Sequence, residues 1–209
     1  MTKHPVIIAG LILSLFAVSG VGMVALVHDQ TKEIIATNER EALLKLLTAL
    51  VPAESIDNDI VNAVTVARDA DRLGKEEVDV YLGLKEGKPV AAVFTPVVPD
   101  GYSGPIKLLV AVRIDGSLGG IRVVAHKETP GLGDKVEEQK SDWIYGFTDK
   151  SLTNPGLAGW KVKRDGGEFD QFTGATVTPR SIVKAVKNTL LYYRDHGNSL
   201  FQSATGGPT

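Results

Sequence analysis

The chain has 209 residues, 43% hydrophobic and 23% charged, enough apolar material for one sizeable core and too much for a disordered tail. A formal net charge of -2, with Lys and Arg scattered along the chain, provides no basic field for a polyphosphate backbone and argues against nucleic acid as a partner. With zero cysteines there is no disulfide framework, Cys-ligated zinc site or iron-sulfur cluster held by this chain alone, so any redox role must rest on a cofactor bound by other groups.

From Val6 to Val27 the uncharged run VIIAGLILSLFAVSGVGMVALV is long enough, at about 1.5 Å per residue, to cross a bilayer core of about 30 Å. It continues through Met23, Val24, Leu26 and Val27 straight into HDQTKE. That length favours an uncleaved membrane anchor over a removed signal peptide, and the lack of a polar face argues against a buried soluble helix. Lys3 on one side and Lys32 and Arg40 on the other do not orient the span by charge. The expectation adopted is a short N-terminal tail inside and the large domain outside.

Thr31 to Val51 carries Ile34, Ile35, Leu43, Leu44, Leu46, Leu47 and Leu50 at helical spacing and is stopped by Pro52, which predicts an amphipathic connecting helix. In the polar stretch that follows, Ile60, Val61, Val64 and Val66 mark a short helix or strand. Val78 to Leu84 alternates, turns at Glu86-Gly87 and returns through Val90 to Val98, a hairpin pattern. Ile106 to Ile114, Asp115-Gly116 and Ile121 to His126 predict a second hairpin. Gly159 to Lys163 reads as a further strand before the turn Asp165-Gly166-Gly167. After Pro179 a helical stripe follows through Ile182, Val183, Val186, Leu190 and Leu191, and residues beyond Gly197 read as a frayed tail. The mixture predicts an α+β domain with a mostly antiparallel sheet and flanking helices.

Chemistry concentrates in Asp170 to Arg180, DQFTGATVTPR. Gly174 and Ala175 are small enough to let the backbone near Thr176 approach a bulky group. Thr178 suits an N-cap, with Pro179 at the first helical position. The hydroxyls of Thr173, Thr176 and Thr178 then lie near a helix N-terminus, where unpaired N-H groups and the helix dipole favour a phosphate. On residue chemistry alone the plainer reading is an ordinary strand-turn-helix connection, because a T-G-A-T string arises by chance. The four histidines, at 4, 28, 126 and 196, show no metal-ligand spacing, so no metal site is expected. A lone His126 at a strand end reads as a hydrogen-bonded structural residue, Glu137-Glu138 as solvated surface, and Trp143, Tyr145 and Phe147 as core packing before packing on a bound ring.

Asp170-x-x-Thr173-Gly174-Ala175-Thr176 resembles the D-x-x-[ST]-G-A-[ST] acceptor motif of proteins modified by flavin transferases. Gly101-Tyr102-Ser103-Gly104-Pro105-Ile106 and His126-Lys127-Glu128-Thr129-Pro130-Gly131-Leu132-Gly133-Asp134-Lys135 resemble further motifs of the same covalent FMN-binding domain. With the anchor, the resemblance covers essentially the whole chain and points to the G-subunit family of the bacterial Rnf (Rsx) electron transport complex.

The resemblance implies that Thr176 receives FMN, donated from FAD, as a phosphoester, and that the transferase recognises Asp170 together with Thr173, Gly174 and Ala175. Thr178 would border the phosphate, while Glu128, Thr129 and Leu132 would lie near the isoalloxazine, with Glu128 and Thr129 free to be turn residues instead. It further implies an electron-relay subunit, not catalytic alone, in a bacterial inner-membrane complex that couples ferredoxin and NAD redox chemistry to ion movement. The soluble domain would lie in the periplasm. Partners would be other membrane subunits, the flavin transferase during maturation, and membrane lipid. The implied layout is a tail and transmembrane anchor over 1–28, the connecting helix over 29–52, the FMN-binding domain over 53–197 and a flexible tail over 198–209. Two alternatives stay open: the C-subunit family of the sodium-pumping NADH:quinone reductases, and a noncatalytic scaffold in which Thr176 is unmodified.

Overall fold

A computed structural model describes residues 4–205, so Lys3 and the last four residues of the expected tail lie outside the described residues. Two compact units divide at Leu43 and Leu44. The first is helical throughout its described length, and its apolar side chains from Val6 to Val27 are exposed. It is part of α1, His4–Leu50, a helix long and apolar enough to cross a membrane. The two segments expected to meet near residue 28 form this one helix, since His28 to Lys32 contains neither Gly nor Pro to interrupt it.

The second unit is an α+β domain. Its strands are β1 (Val64–Ala67), β2 (Val78–Lys85), β3 (Lys88–Phe94), β4 (Val97–Val98), β5 (Ile106–Arg113) and β6 (Leu118–Ala125). All pairings are antiparallel, in the order β1-β2-β3-β5, with β4 and β6 also on β5. Both expected hairpins form. Glu86 and Gly87 each take a positive φ, 51° and 72°, as a tight two-residue connection requires. A four-residue helix α2 (Ala70–Leu73) is capped by Asp69, whose side chain accepts from the Arg72 N-H.

Alternation along the strands gives the sheet two buried faces. Val80, Leu82, Ala92, Phe94, Leu108, Val110 and Val112 share a core with Ile182, Val183, Val186 and Leu190 of α3 (Val177–Thr205). Ala91, Val93, Leu109 and Ala111 point the other way and are also buried. Here the last turn of α1 closes in: a Cβ on Gly119 would stand 2.9 Å from the Leu50 carbonyl oxygen, and one on Gly83 3.5 Å from Val51.

Three expectations change. Gly159 to Lys163 forms no ladder strand; it is a chain of 3-10 turns with a single bridge, Val162 to Phe169. Gly159 lies so close to Pro155 and Gly167 to Lys161 that the chain folds back on itself, while Trp160 and Val162 are still buried as the apolar pattern requires. Helix α3 starts at Val177, so Thr176 and not Thr178 precedes its first turn. It also runs past Gly197 to Thr205, burying Leu200 and Phe201 to 4% and 5% exposure. Gly197 fits because its missing side chain leaves room for the Tyr193 ring, 3.0 Å from where a Cβ would be. Packing of that apolar stripe outweighs the cost of about 1 kcal/mol for a helical glycine.

Candidate functional site

The acceptor segment is held by aromatic packing on both sides. Phe169 stacks on Phe147 at 4.7 Å and lies 4.9 Å from Trp160, and Phe172 meets Trp143 edge-on at 5.2 Å. The Trp143 indole N-H donates to the Asp170 carbonyl at 2.8 Å. Trp143 and Phe147 thus serve the core, and Tyr145 lies on the surface beneath the Arg122 guanidinium. Between these anchors Phe172 to Ala175 closes a tight turn, the Ala175 N-H donating to the Phe172 carbonyl at 3.2 Å. Gly174 takes φ 83° in that turn, a value that favours glycine.

Thr176 comes next, at the N-cap of α3: its carbonyl accepts the Arg180 N-H, the first bond of the helix. The Thr176 hydroxyl makes no hydrogen bond among the described residues, and its side chain lines a cavity of about 450 Å³. Val177 and Thr178 carry the first backbone N-H groups of the helix, which have no partner in the preceding turn.

The other walls come from two distant loops. Tyr102 belongs to the loop between β4 and β5; Glu128, Thr129, Leu132 and Gly133 belong to the loop after β6. Leu132 closes on the acceptor turn, 3.3 Å from where a Cβ on Gly174 would be. Four apolar or aromatic side chains, Tyr102, Leu132, Ala175 and Val177, thus surround the mouth, and Tyr102 is 71% exposed.

Beneath them sits Glu128, only 5% exposed. Its carboxylate accepts the Thr178 hydroxyl at Oε2 and the Ser103 N-H, at 3.0 Å, at Oε1. Its own N-H donates to His126 Nδ1 at 3.0 Å, which leaves His126 Nε2, 2.7 Å from Glu137, as the nitrogen that carries the proton. Glu137 and Glu138 are therefore paired, with His126 and with the buried Arg122, and are not simply solvated. Thr178, expected to cap the helix through its side chain, instead directs its hydroxyl to Glu128.

Of the expected site residues, the structure brings together Thr176, Gly174, Ala175, Thr178, Glu128, Thr129 and Leu132 around one cavity. Thr173 is exposed outside this lining, and Asp170 faces solvent with its carboxylate 2.6 Å from Lys163. Tyr102, Ser103, Gly133 and Val177 complete the site. Tyr102, Ser103 and Gly133 stand inside the two loop motifs picked out from sequence and Val177 inside the acceptor stretch, but no individual role was expected of Tyr102, Ser103 or Val177. Among the described residues no group of three or more His, Asp or Glu side chains is arranged to hold a metal ion.

A family model described as FMN-binding domain matches residues 101–191, and one described as RnfG N-terminal region matches residues 1–50. The chain is 45% identical to the G subunit of the ion-translocating oxidoreductase complex of Pseudoalteromonas atlantica, over 93% of this chain and 91% of that one. Identity is 44% to the protein of that name from Shewanella baltica, over 95% and 94%, and 43% to that from Vibrio cholerae, over 91% of each. The chain belongs to this family of G subunits.

The two family models cover, respectively, all the residues that line the cavity at Thr176 and the whole of α1. The residues present fit FMN. Its phosphate suits the N-H groups that open α3, small residues leave the approach clear, and the apolar mouth suits a flat ring.

Proposed function

We propose that this chain is a membrane-anchored electron carrier that holds FMN through a phosphoester on Thr176. The observation that carries the reading is the placement of an unpaired threonine hydroxyl at the start of a 29-residue helix, on the wall of the cavity where all three motif loops meet. A flavin transferase would move the FMN phosphoryl group of FAD to Thr176 Oγ; the P-O-P bond breaks, the new P-O-C bond forms, AMP leaves and the hydroxyl proton is released. Exposed Asp170 and Thr173 are the surface that this enzyme would read.

Bound FMN supplies the redox chemistry. The chain's own part is to fix the phosphate end at Thr176, support the ring with Leu132, Val177 and Tyr102, and keep an open mouth for partners. Covalent tethering prevents loss of the cofactor, so electrons pass only when partner subunits come to it. Those partners are the other subunits of an ion-translocating oxidoreductase complex, and α1 is the segment that meets lipid and neighbouring helices. We place the anchor in the bacterial inner membrane, with the domain on the periplasmic side.

Two measurements test this. The full-length chain, co-expressed with a flavin transferase, should fluoresce as a flavin band on a denaturing gel, and an unlabelled band would defeat the reading. Protease added to intact spheroplasts should remove the domain; protection would reverse the orientation.

A further inference from the structure

We propose that Glu128 is the positioning residue of the acceptor site: by tying Thr178 to the Ser103 loop, it sets where the Thr176 hydroxyl and the opening N-H groups of α3 stand. This rests on Thr176 being the FMN acceptor.

Three observations converge on it. First, the two carboxylate oxygens of Glu128 serve two different elements, the first turn of α3 and the loop between β4 and β5, and its backbone N-H is pinned locally to His126 within its own loop. Second, both glycine-containing loops leave room for this one side chain. A Cβ on Gly133 would lie 2.7 Å from Glu128 Oε2, and one on Gly101 would lie 3.0 Å from Oε1. Third, among the described residues Glu128 has no ion-pair partner although it is buried. A buried carboxylate paired only by neutral donors is costly where an apolar pair would fill the same space. Hydrogen bonds and the positive end of α3 offset that cost, and the gain is a fixed orientation two residues from the acceptor.

The bridge and the charge are separable. Ser103 contributes a backbone N-H that can only donate, whereas the Thr178 hydroxyl can donate or accept. Glu128→Gln can therefore keep both contacts by reversing the one to Thr178, losing only the charge. Thr178→Val keeps size and charge but breaks the bridge.

The test uses the full-length chain in detergent, purified without flavin and loaded in vitro with flavin transferase and FAD, with covalent fluorescence followed in time. We expect Thr178→Val to lower kcat for loading roughly ten- to a hundredfold, the loss expected for a hydrogen bond to a charged group, with KM for the chain unchanged because Asp170 and Thr173 are untouched. Thr178→Ser and Glu128→Gln should recover most of that loss. Val80→Ala, a core truncation in β2, serves as a stability control and should load normally at a comparable fall in Tm. A wild-type kcat for Thr178→Val, a loss confined to KM, no recovery by the two conservative variants, or equal slowing by Val80→Ala would each overturn the inference. Failure of wild type to load, or undiminished loading of Thr176→Val, would instead strike the acceptor reading itself and the inference with it.

Discussion

Arg180, in the first turn of α3, grips Asp165 with two hydrogen bonds, Nε to Oδ2 at 2.6 Å and Nη2 to Oδ1 at 2.8 Å. The pair spans the acceptor turn, with Asp165 before it and Arg180 after, and the Arg164 N-H adds a bond to Gln171 at 3.2 Å. Such an exposed pair adds little to global stability, but its fork geometry fixes direction. Arg180→Gln should leave Tm almost unchanged and slow flavin loading several-fold. High salt should move the wild type toward the variant, because exposed pairs are screened. A variant that loads at the wild-type rate would remove the brace from the mechanism.

Acid stability should follow Asp195, which pairs with Arg194 and with Arg72 of α2. Hydrogen bonds from Arg194 and then Arg72 hold its carboxyl down to about 2. Because it is lowered in the folded chain, its stabilisation is present above about pH 4, the range in which an unfolded aspartate ionises. It is lost as pH falls toward its folded value. Asp195→Asn should therefore lower Tm at neutral pH and converge with wild type between about pH 4 and pH 2. Parallel curves across that range would contradict the assignment of Asp195.

The C-terminal turns of α3 belong to the core. Truncating Leu200 or Phe201 to Ala should each destabilise the domain by about 2–5 kcal/mol, the range for emptying a buried apolar site. Denaturant unfolding measures this, and a loss below about 0.5 kcal/mol would return the segment to a solvated tail.

Deleting residues 5–28 should move the chain from the membrane to the soluble fraction after carbonate extraction. That segment holds the entire uncharged run. Continued sedimentation with the membrane would shift the anchor elsewhere.

How much of this was legible depended on whether the deciding contact was local. Glu86-Gly87 and Asp115-Gly116 announce their hairpins because the turn conformation is a property of those residues themselves. The stripe Ile182, Val183, Val186, Leu190 announces α3 in the same way. Thr-Val-Thr-Pro, by contrast, offers two capping threonines two residues apart. Glu128, fifty residues away, settles the choice by engaging the Thr178 hydroxyl and leaving Thr176 at the helix start. Gly197 reads as a helix end, and only the Tyr193 ring packed against it shows otherwise. The strand expected at Gly159 to Lys163 had the right burial and the wrong form, because close backbone approaches at Gly159 and Gly167 are tertiary facts. The cavity itself joins Tyr102, Glu128 and Thr176, whose proximity no local pattern records.

The most direct test is peptide mapping by mass spectrometry of the full-length chain matured with its transferase, comparing wild type with Thr176→Val and Thr176→Ser. Attachment at Thr176 predicts FMN on the peptide containing that residue in wild type, its loss in the Val variant with the domain still folded, and its return in the Ser variant, whose hydroxyl occupies the same place. FMN on Thr173 or Thr178, or a Val variant that still carries covalent flavin, would contradict it.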